Sequence, residues 1–142
     1  MTATPMPRWA IAVSVLLLLW ALIGVWSFYN EVTLSPEAAA VMPPEQRAMW
    51  ETMPGWLWAD FAIAVFSALA GAIALLMKRA FAEPLYLLSL IAVVIQFGYV
   101  FLVMPVLETI GAAAIPFPAV IFIIAVISYW LARNWKAKDW IG

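Results

Sequence analysis

The chain has 142 residues, of which 68% are hydrophobic and 11% are charged, and its formal net charge is -1. A soluble domain carries about 25% charged residues, so this composition predicts a membrane protein and excludes a water-soluble one. The sequence contains neither cysteine nor histidine, which excludes disulfides, thiolate nucleophiles and the histidine ligands that are most common in zinc and haem sites.

Four apolar runs are each long enough to cross a bilayer, which takes roughly 20 residues in a helix. The first run ends in the bulky stretch VWSFYN without a small-residue cleavage site, so we expect a retained span rather than a signal peptide. The short turn KRAFAEP between the second and third runs predicts an antiparallel hairpin. The predicted spans are residues 9–29, 56–77, 84–106 and 115–132.

The segment 30–55, between the first two spans, predicts two short helices. Ser35 is suited to cap a helix that begins at Pro36, because its hydroxyl can accept a backbone N–H and proline is favoured at the first helical position. A second helix is predicted from Pro44 to about Thr52. Methionine and tryptophan give this second helix an apolar side, so we expect it to cap the bundle or to lie on the membrane surface.

The basic residues predict the orientation of the spans. Arg47 is the one exception among 7 lysines and arginines that otherwise fall on a single side of the predicted bundle. The positive-inside rule places that side in the cytoplasm, so both termini are expected there. The residues after the fourth span, 133–142, are then a short cytoplasmic tail.

These elements predict a single all-α membrane domain over residues 1–142, an up-down bundle of four transmembrane helices with a short helical outer (periplasmic) segment. Tryptophans cluster near the span ends, where amphipathic rings favour the headgroup region, and we interpret them as interface anchors. These tryptophans are Trp9, Trp56, Trp58, Trp130, Trp135 and Trp140.

Small residues recur along the second span and predict where helices approach closely. In lipid, close backbone contact between small side chains is a better guide to pairing than hydrophobicity. The third span is the expected partner because a short turn joins it to the second, although a second copy of the protein could use the same surface. The fourth span is expected to face lipid or an oligomer interface. The seam consists of Ala64, Ser67, Ala68, Gly71 and Ala72.

Gln96 lies near the middle of the third span, and Tyr99 follows it one turn further on. A buried amide without a partner costs several kcal/mol in hydrocarbon, so Gln96 should point into the bundle and be hydrogen-bonded. One interpretation is a contact with a substrate or ion at mid-membrane, supported by Tyr99. The interpretation we favour is a hydrogen bond between helices.

Asp60 lies in the first turns of the second span, close to the interface and to a helix N-terminus that favours negative charge. Glu108 and Asn30 end the third and first spans on the same side. These three residues, with Tyr99, could converge at the outer mouth of the bundle and attract a cation or a polyol. The interpretation we favour is a solvated rim of carboxylates.

Three stretches resemble a group of small four-span bacterial inner-membrane proteins that are often labelled "sugar transporter". They are LLLLWALIGVWSF, MPPEQRAMWETMPGWLWADFAIAVFSALAGAIALLMKR and AEPLYLLSLIAVV, which together run from the first span into the third. The four-span layout is also similar to that of the DoxX-like membrane proteins. The resemblance implies the fold and the label of a transporter, and it transfers no site residues.

Three functions follow as hypotheses. The first is a small integral protein that assembles with itself or serves as an accessory or structural subunit of a larger membrane complex. The second is an oligomeric carrier or channel for a small polar solute such as a sugar, in which Gln96 contacts the solute. The third is a quinone- or lipid-binding protein in which Trp20 and Phe97 line an intramembrane pocket.

Other classes of function are not expected. No nucleophile with a neighbouring base and no set of metal ligands can be assembled from these residues, so we predict neither an enzyme nor a metal or cofactor site. The basic residues form no patch suited to nucleic acid. The expected partners are the lipid bilayer and either further copies of the chain or a larger membrane complex.

Overall fold

The structure is a computed structural model that describes residues 5–102 and 115–142. All regular elements in these ranges are helices, and four of them are long and apolar enough to cross a membrane, which confirms the predicted all-α four-helix membrane fold. The helices are α1 (Arg8–Val32), α2 (Pro36–Ala40), α3 (Pro44–Glu51), α4 (Gly55–Leu76), α5 (Ala82–Leu102) and α6 (Pro116–Ala137).

The helix starts follow the predicted signals. The Ser35 hydroxyl accepts the N–H of Ala38 at 3.1 Å, and α2 begins at Pro36, as the sequence predicts. Helix α3 begins at Pro44 and ends at Glu51, one residue before the predicted end. Proline at the first helical position costs no hydrogen bond, because the N–H groups of the first turn have no partner inside the helix.

Two helix ends are closed by residues in the left-handed conformation. Lys78 follows α4 with a φ of 57°, and the N–H of Arg79 reaches back to the carbonyl of Ala74 at 2.8 Å. Asp139 adopts the same conformation after α6, with a φ of 60°. This arrangement satisfies carbonyls that a helix end leaves open and reverses the chain sharply.

The long helices pack in chain order, each antiparallel to the next. The extensive contacts join α1 to α4, α4 to α5 and α5 to α6. Gly24 of α1 lies against Val65 of α4, and Gly71 of α4 lies against the ring of Tyr86 in α5. The Lys136 Nζ of α6 is 3.5 Å from the Glu83 carboxylate of α5. We call the end of the bundle with Arg8, Lys78 and Lys136 the basic end, and the opposite end, with α2 and α3, the acidic end.

The small residues of the predicted seam on α4 lie in the interior of the helix bundle. Ala64, Ser67, Gly71 and Ala72 are all buried, and Ala68 packs against the main core cluster. A methyl group at position 71 would lie 3.0 Å from the Tyr86 ring, which shows how closely α5 approaches this part of α4. The small residues of α4 therefore pack against α5, which is the third span.

The main core lies at the basic end and includes the last residues of the chain. Residues 133–137, predicted to be part of a tail, continue α6 instead. Ile141 is 1% exposed, and the chain beside it pairs with the turn between α4 and α5. In that pairing the Gly142 N–H donates to Lys78 O at 2.9 Å and the Ala80 N–H donates to Gly142 O at 3.0 Å.

The tryptophans predicted to be interface anchors differ in burial, and the prediction is wrong for Trp135. Trp9, Trp56 and Trp130 are more than half exposed, as interface anchors would be. Trp135 is 1% exposed, because it packs against Trp9 with ring centroids 6.0 Å apart and against Trp140 at the same distance. Trp135 is thus a core residue of the basic end, where it joins α1 to the end of the chain.

Candidate functional site

A cavity of about 360 Å³ lies between the four long helices. Each of these helices contributes to its wall, α1 through Trp20, α4 through Phe61, α5 through Phe97 and α6 through Ile124. Trp20 and Phe97 are the two residues that the pocket hypothesis names, and both line this cavity. The volume is within the range of ligand pockets, roughly 300 to 1,000 Å³.

The cavity is elongated along the bundle. On α1 its wall runs from Leu17 to Glu31, a distance of about 21 Å at 1.5 Å per residue. Its deep part is lined by Tyr86 and Ser128, which lie in the half of the bundle nearer the basic end. Its other part reaches Glu31, in the last turn of α1 at the acidic end. Most of the wall between these levels is apolar.

At the deep end, Tyr86 combines burial with an unused hydroxyl. The residue is 3% exposed, its ring packs on Gly71, and its hydroxyl has no hydrogen-bond partner among the residues that the structure describes. An unpaired buried hydroxyl costs about 1 to 3 kcal/mol. Because the hydroxyl oxygen is itself buried, a molecule in the cavity can use it as a donor or acceptor once neighbouring side chains move aside.

Two serines, Ser89 and Ser128, line the same cavity as Tyr86, and the hydroxyl group of each already donates a hydrogen bond. The Ser89 hydroxyl crosses from α5 to the carbonyl of Ala64 in α4 at 2.8 Å. The Ser128 hydroxyl donates to Ile124 O, one turn back in its own helix, at 2.7 Å. Ser89 therefore performs the interhelical role that the sequence favours for Gln96.

Gln96 itself is half-buried and lines the cavity. Within the described ranges no hydrogen bond joins its amide to another helix. The amide group therefore belongs to the wall of the cavity, toward its acidic end, where Ser27 and Glu31 of α1 are the other polar lining residues.

The remaining predicted candidates do not line this cavity. Tyr99 packs its ring against Trp56, with centroids 5.0 Å apart, and Asn30 is exposed near the end of α1. Glu108 lies outside the described residues. The structure thus brings Gln96 to the cavity and leaves Tyr99, Asn30 and Asp60 away from its wall.

Asp60 differs from the expected solvated rim. It is 9% exposed and lies on the buried face of α4 with Leu57 and Ala64. Its Oδ2 atom has no hydrogen-bond partner among the described residues. Proximity to a helix N-terminus explains why the sequence tolerates a charge here, but burial against the neighbouring helix cannot be deduced from that position alone.

A second cavity, of about 580 Å³, forms a groove at the acidic end between α1, α3 and α4. Helix α3 is fixed over the end of α1, because the Trp50 indole N–H donates to the backbone carbonyl of Glu31 at 3.2 Å. This hydrogen bond is consistent with the expected capping role of α3. We call this space the acidic groove, and its lining includes Phe28, Glu31, Trp50, Glu51 and Trp58.

Glu31 lines both the internal cavity and the acidic groove. The two spaces therefore adjoin each other at this residue, which forms part of the wall of each. Sequence reasoning did not single out Glu31, because it ends an apolar helix like any solvated flanking charge. The available signal was its position one turn after Ser27, on the same face of α1.

No group of three or more Asp or Glu residues within 5–102 and 115–142 is arranged to hold a metal ion. Comparisons with known protein families, with curated proteins and with solved structures found no match. The function is therefore inferred from the cavity, the acidic groove and the residues that line them.

Proposed function

We propose that this integral membrane protein binds a small apolar or amphipathic molecule of the lipid or quinone class between its four spanning helices. The observation that supports this most directly is the elongated cavity of about 360 Å³, to which all four helices contribute. Such a cavity, surrounded by lipid and lined by aromatic and aliphatic side chains, offers a molecule from the bilayer an environment like its own.

The chemistry of the wall favours this class over a strongly polar solute. A sugar carries many hydroxyl groups, and each one that loses water without gaining a partner costs free energy. The cavity offers few uncommitted polar side chains, among them Tyr86 and Gln96. They suit a ligand with one or two polar atoms on an apolar body.

A cavity-filling variant tests the proposal. Ala125 of α6 lines the cavity and Val126, its neighbour, is exposed on the outer face of the same helix. Ala125→Phe should fill the space and abolish retention of the ligand, whereas Val126→Phe should leave it unchanged. Native mass spectrometry, with solvent extraction of the purified protein, measures the retained molecule. An empty wild-type protein, or equal retention in both variants, would overturn the proposal.

A carrier or channel for a small solute is the second candidate. It is supported by Gln96, which lines the internal cavity, and by Glu31, which lines both that cavity and the acidic groove. The resemblance to proteins labelled as sugar transporters favours the same class. Carriers commonly place the substrate between two structural repeats, so a four-span chain would act at least as a dimer. Flux into liposomes should then fall in the Gln96→Leu variant, and an unchanged flux would remove Gln96 from the pathway.

Self-assembly or an accessory role has less support from the packing. The small-residue seam that suggested it is covered by α5 within the same chain. A second copy would instead use an outward apolar face, such as that of α6 with Phe122 and Ile123. The positive-inside rule favours the basic end in the cytoplasm and the acidic groove outside, and the resemblance to bacterial inner-membrane proteins favours that membrane.

A further inference from the structure

Glu31 places a carboxylate where an apolar cavity opens toward the membrane surface. Glu31 belongs to the wall of both the internal cavity and the acidic groove and is exposed at this end of the bundle, and Glu51 is a second acidic residue in that groove. Within the described ranges, ion pairing closer than 4.0 Å is found between Lys136 and Glu83, at the basic end. Glu31 and Glu51 thus have no basic partner in the described part of the chain, although Arg47 of α3 lies at the same end.

Aromatic residues line the same groove as these two glutamates. Phe28, Trp50 and Trp58 line the acidic groove, and their faces are suited to contact an organic cation. Trp58 also stacks on Phe61, with ring centroids 6.3 Å apart and planes inclined by 9°. Because Phe61 lines the internal cavity, the aromatic surface is continuous from the groove into the bundle.

The acidic groove and the internal cavity together suit a ligand whose two ends differ in chemistry. Carboxylates and aromatic faces recognise a quaternary or protonated ammonium group through charge attraction and cation–π contact. The apolar cavity that continues from Glu31 to Leu17 accepts an alkyl chain. A neutral head would gain no charge attraction from the carboxylates, and an anionic head would be repelled by them.

We infer that the ligand is a cationic amphiphile, with its ammonium head between Glu31 and the aromatic rings of the acidic groove and its apolar tail in the internal cavity. This inference rests on the proposed function, because it names the class of molecule that the cavity binds. It also assigns Glu31 as the residue that selects for positive charge, a role that Gln96, with its uncharged amide, cannot perform.

The test compares amphiphiles that share a tail and differ in charge. The protein is held in a nonionic amphipathic polymer and titrated with dodecyltrimethylammonium, dodecanol or dodecanoate, and bound molecules are counted by native mass spectrometry. We expect the ammonium compound to bind most tightly. Glu31→Gln should weaken its binding roughly two- to fivefold, because the variant removes the charge attraction between an exposed carboxylate and an ammonium group that has no N–H to donate. Binding of dodecanol should not change in this variant.

Glu37→Gln is the matched control. Glu37 is exposed on α2 at the same end of the bundle and is not among the lining residues of either cavity. Its substitution by glutamine removes one negative charge, as Glu31→Gln does. The Glu31→Gln variant should fold normally, because Trp50 binds the backbone carbonyl of Glu31 and not its side chain. Unchanged helical circular dichroism would establish that the variant is folded.

The outcomes separate the inference from the proposed function. If all three amphiphiles bind with similar affinity and Glu31→Gln has no effect, the cationic selectivity is wrong and the binding function stands. Equal weakening in Glu31→Gln and Glu37→Gln would also overturn the inference, because net charge alone would then explain it. If no amphiphile binds, both the inference and the proposed function fail.

Discussion

Tyr86 of α5 lies directly on Gly71 of α4, so that a methyl group at position 71 would be 3.0 to 3.1 Å from three atoms of the ring. Such distances are shorter than those of most real Cβ contacts, so the absence of a side chain at position 71 allows these two helices to approach closely. The contact also determines the position of the Tyr86 hydroxyl at the deep end of the cavity.

Gly71→Ala should destabilise the protein by about 1 to 3 kcal/mol, because the added methyl group forces the buried Tyr86 ring or the whole α5 helix to move. Gly98→Ala is the control, since a methyl group at that helical position would meet no atom within 4 Å. Thermal unfolding followed by circular dichroism in a mild detergent compares the two. Equal unfolding temperatures would contradict the close approach of α4 and α5.

Tyr86→Phe should stabilise the ligand-free protein by about 1 kcal/mol, because it removes a buried hydroxyl that has no partner among the described residues. The same change should weaken binding of any ligand that hydrogen-bonds to this hydroxyl. Tyr29→Phe, at an exposed position, should alter neither property. A loss of stability in ligand-free Tyr86→Phe would mean that the hydroxyl is already satisfied.

Ser89→Ala should destabilise the bundle by about 0.6 to 1.7 kcal/mol, the range for hydrogen bonds between membrane helices. Its hydroxyl joins α5 to Ala64 of α4 at 2.8 Å. Ser14→Ala provides the comparison, because Ser14 is equally buried but donates to Ala10 in its own helix at 2.9 Å. Denaturation titrations of both variants should give a clearly larger loss for Ser89; a similar loss for Ser14 would argue against a stabilising bond between helices.

Ile141→Ala should cost about 2 to 3 kcal/mol, because the side chain is 1% exposed in the core of the basic end. Val41→Ala, at a position that is 84% exposed, should be nearly neutral. Limited proteolysis offers a second measurement, in which Ile141→Ala should expose the last residues to a protease. Resistance equal to that of the wild type would show that these residues do not depend on Ile141.

The long apolar helices could be predicted from sequence because each one must bury its backbone polar groups internally and span a fixed hydrocarbon thickness. The starts of α2 and α3 could also be predicted, since the cap at Ser35 and the prolines act locally. The burial of Trp135 and Ile141 could not. It depends on the end of the chain returning to the turn after α4, a contact between distant parts of the sequence.

Some residues of the candidate site could likewise be predicted from the sequence, and others could not. Trp20, Phe97 and Gln96 could be proposed because an aromatic or polar residue is conspicuous in an apolar helix. Glu31 could not, because its importance comes from the meeting of two cavities, which requires the relative positions of α1, α3 and α4. The burial of Asp60 likewise depends on the neighbouring helix and not on its distance from the end of α4.

The cluster of Trp9, Trp135 and Trp140 joins the first and last spanning helices at the basic end of the bundle. These rings hold α1, α6 and the last residues together, whereas farther along the bundle the cavity lies between the same two helices. This junction lies beyond the deep end of the cavity, toward the start of α1 and the end of α6. Because these three rings are not among the residues that line the cavity, they stabilise the junction without taking part in ligand binding.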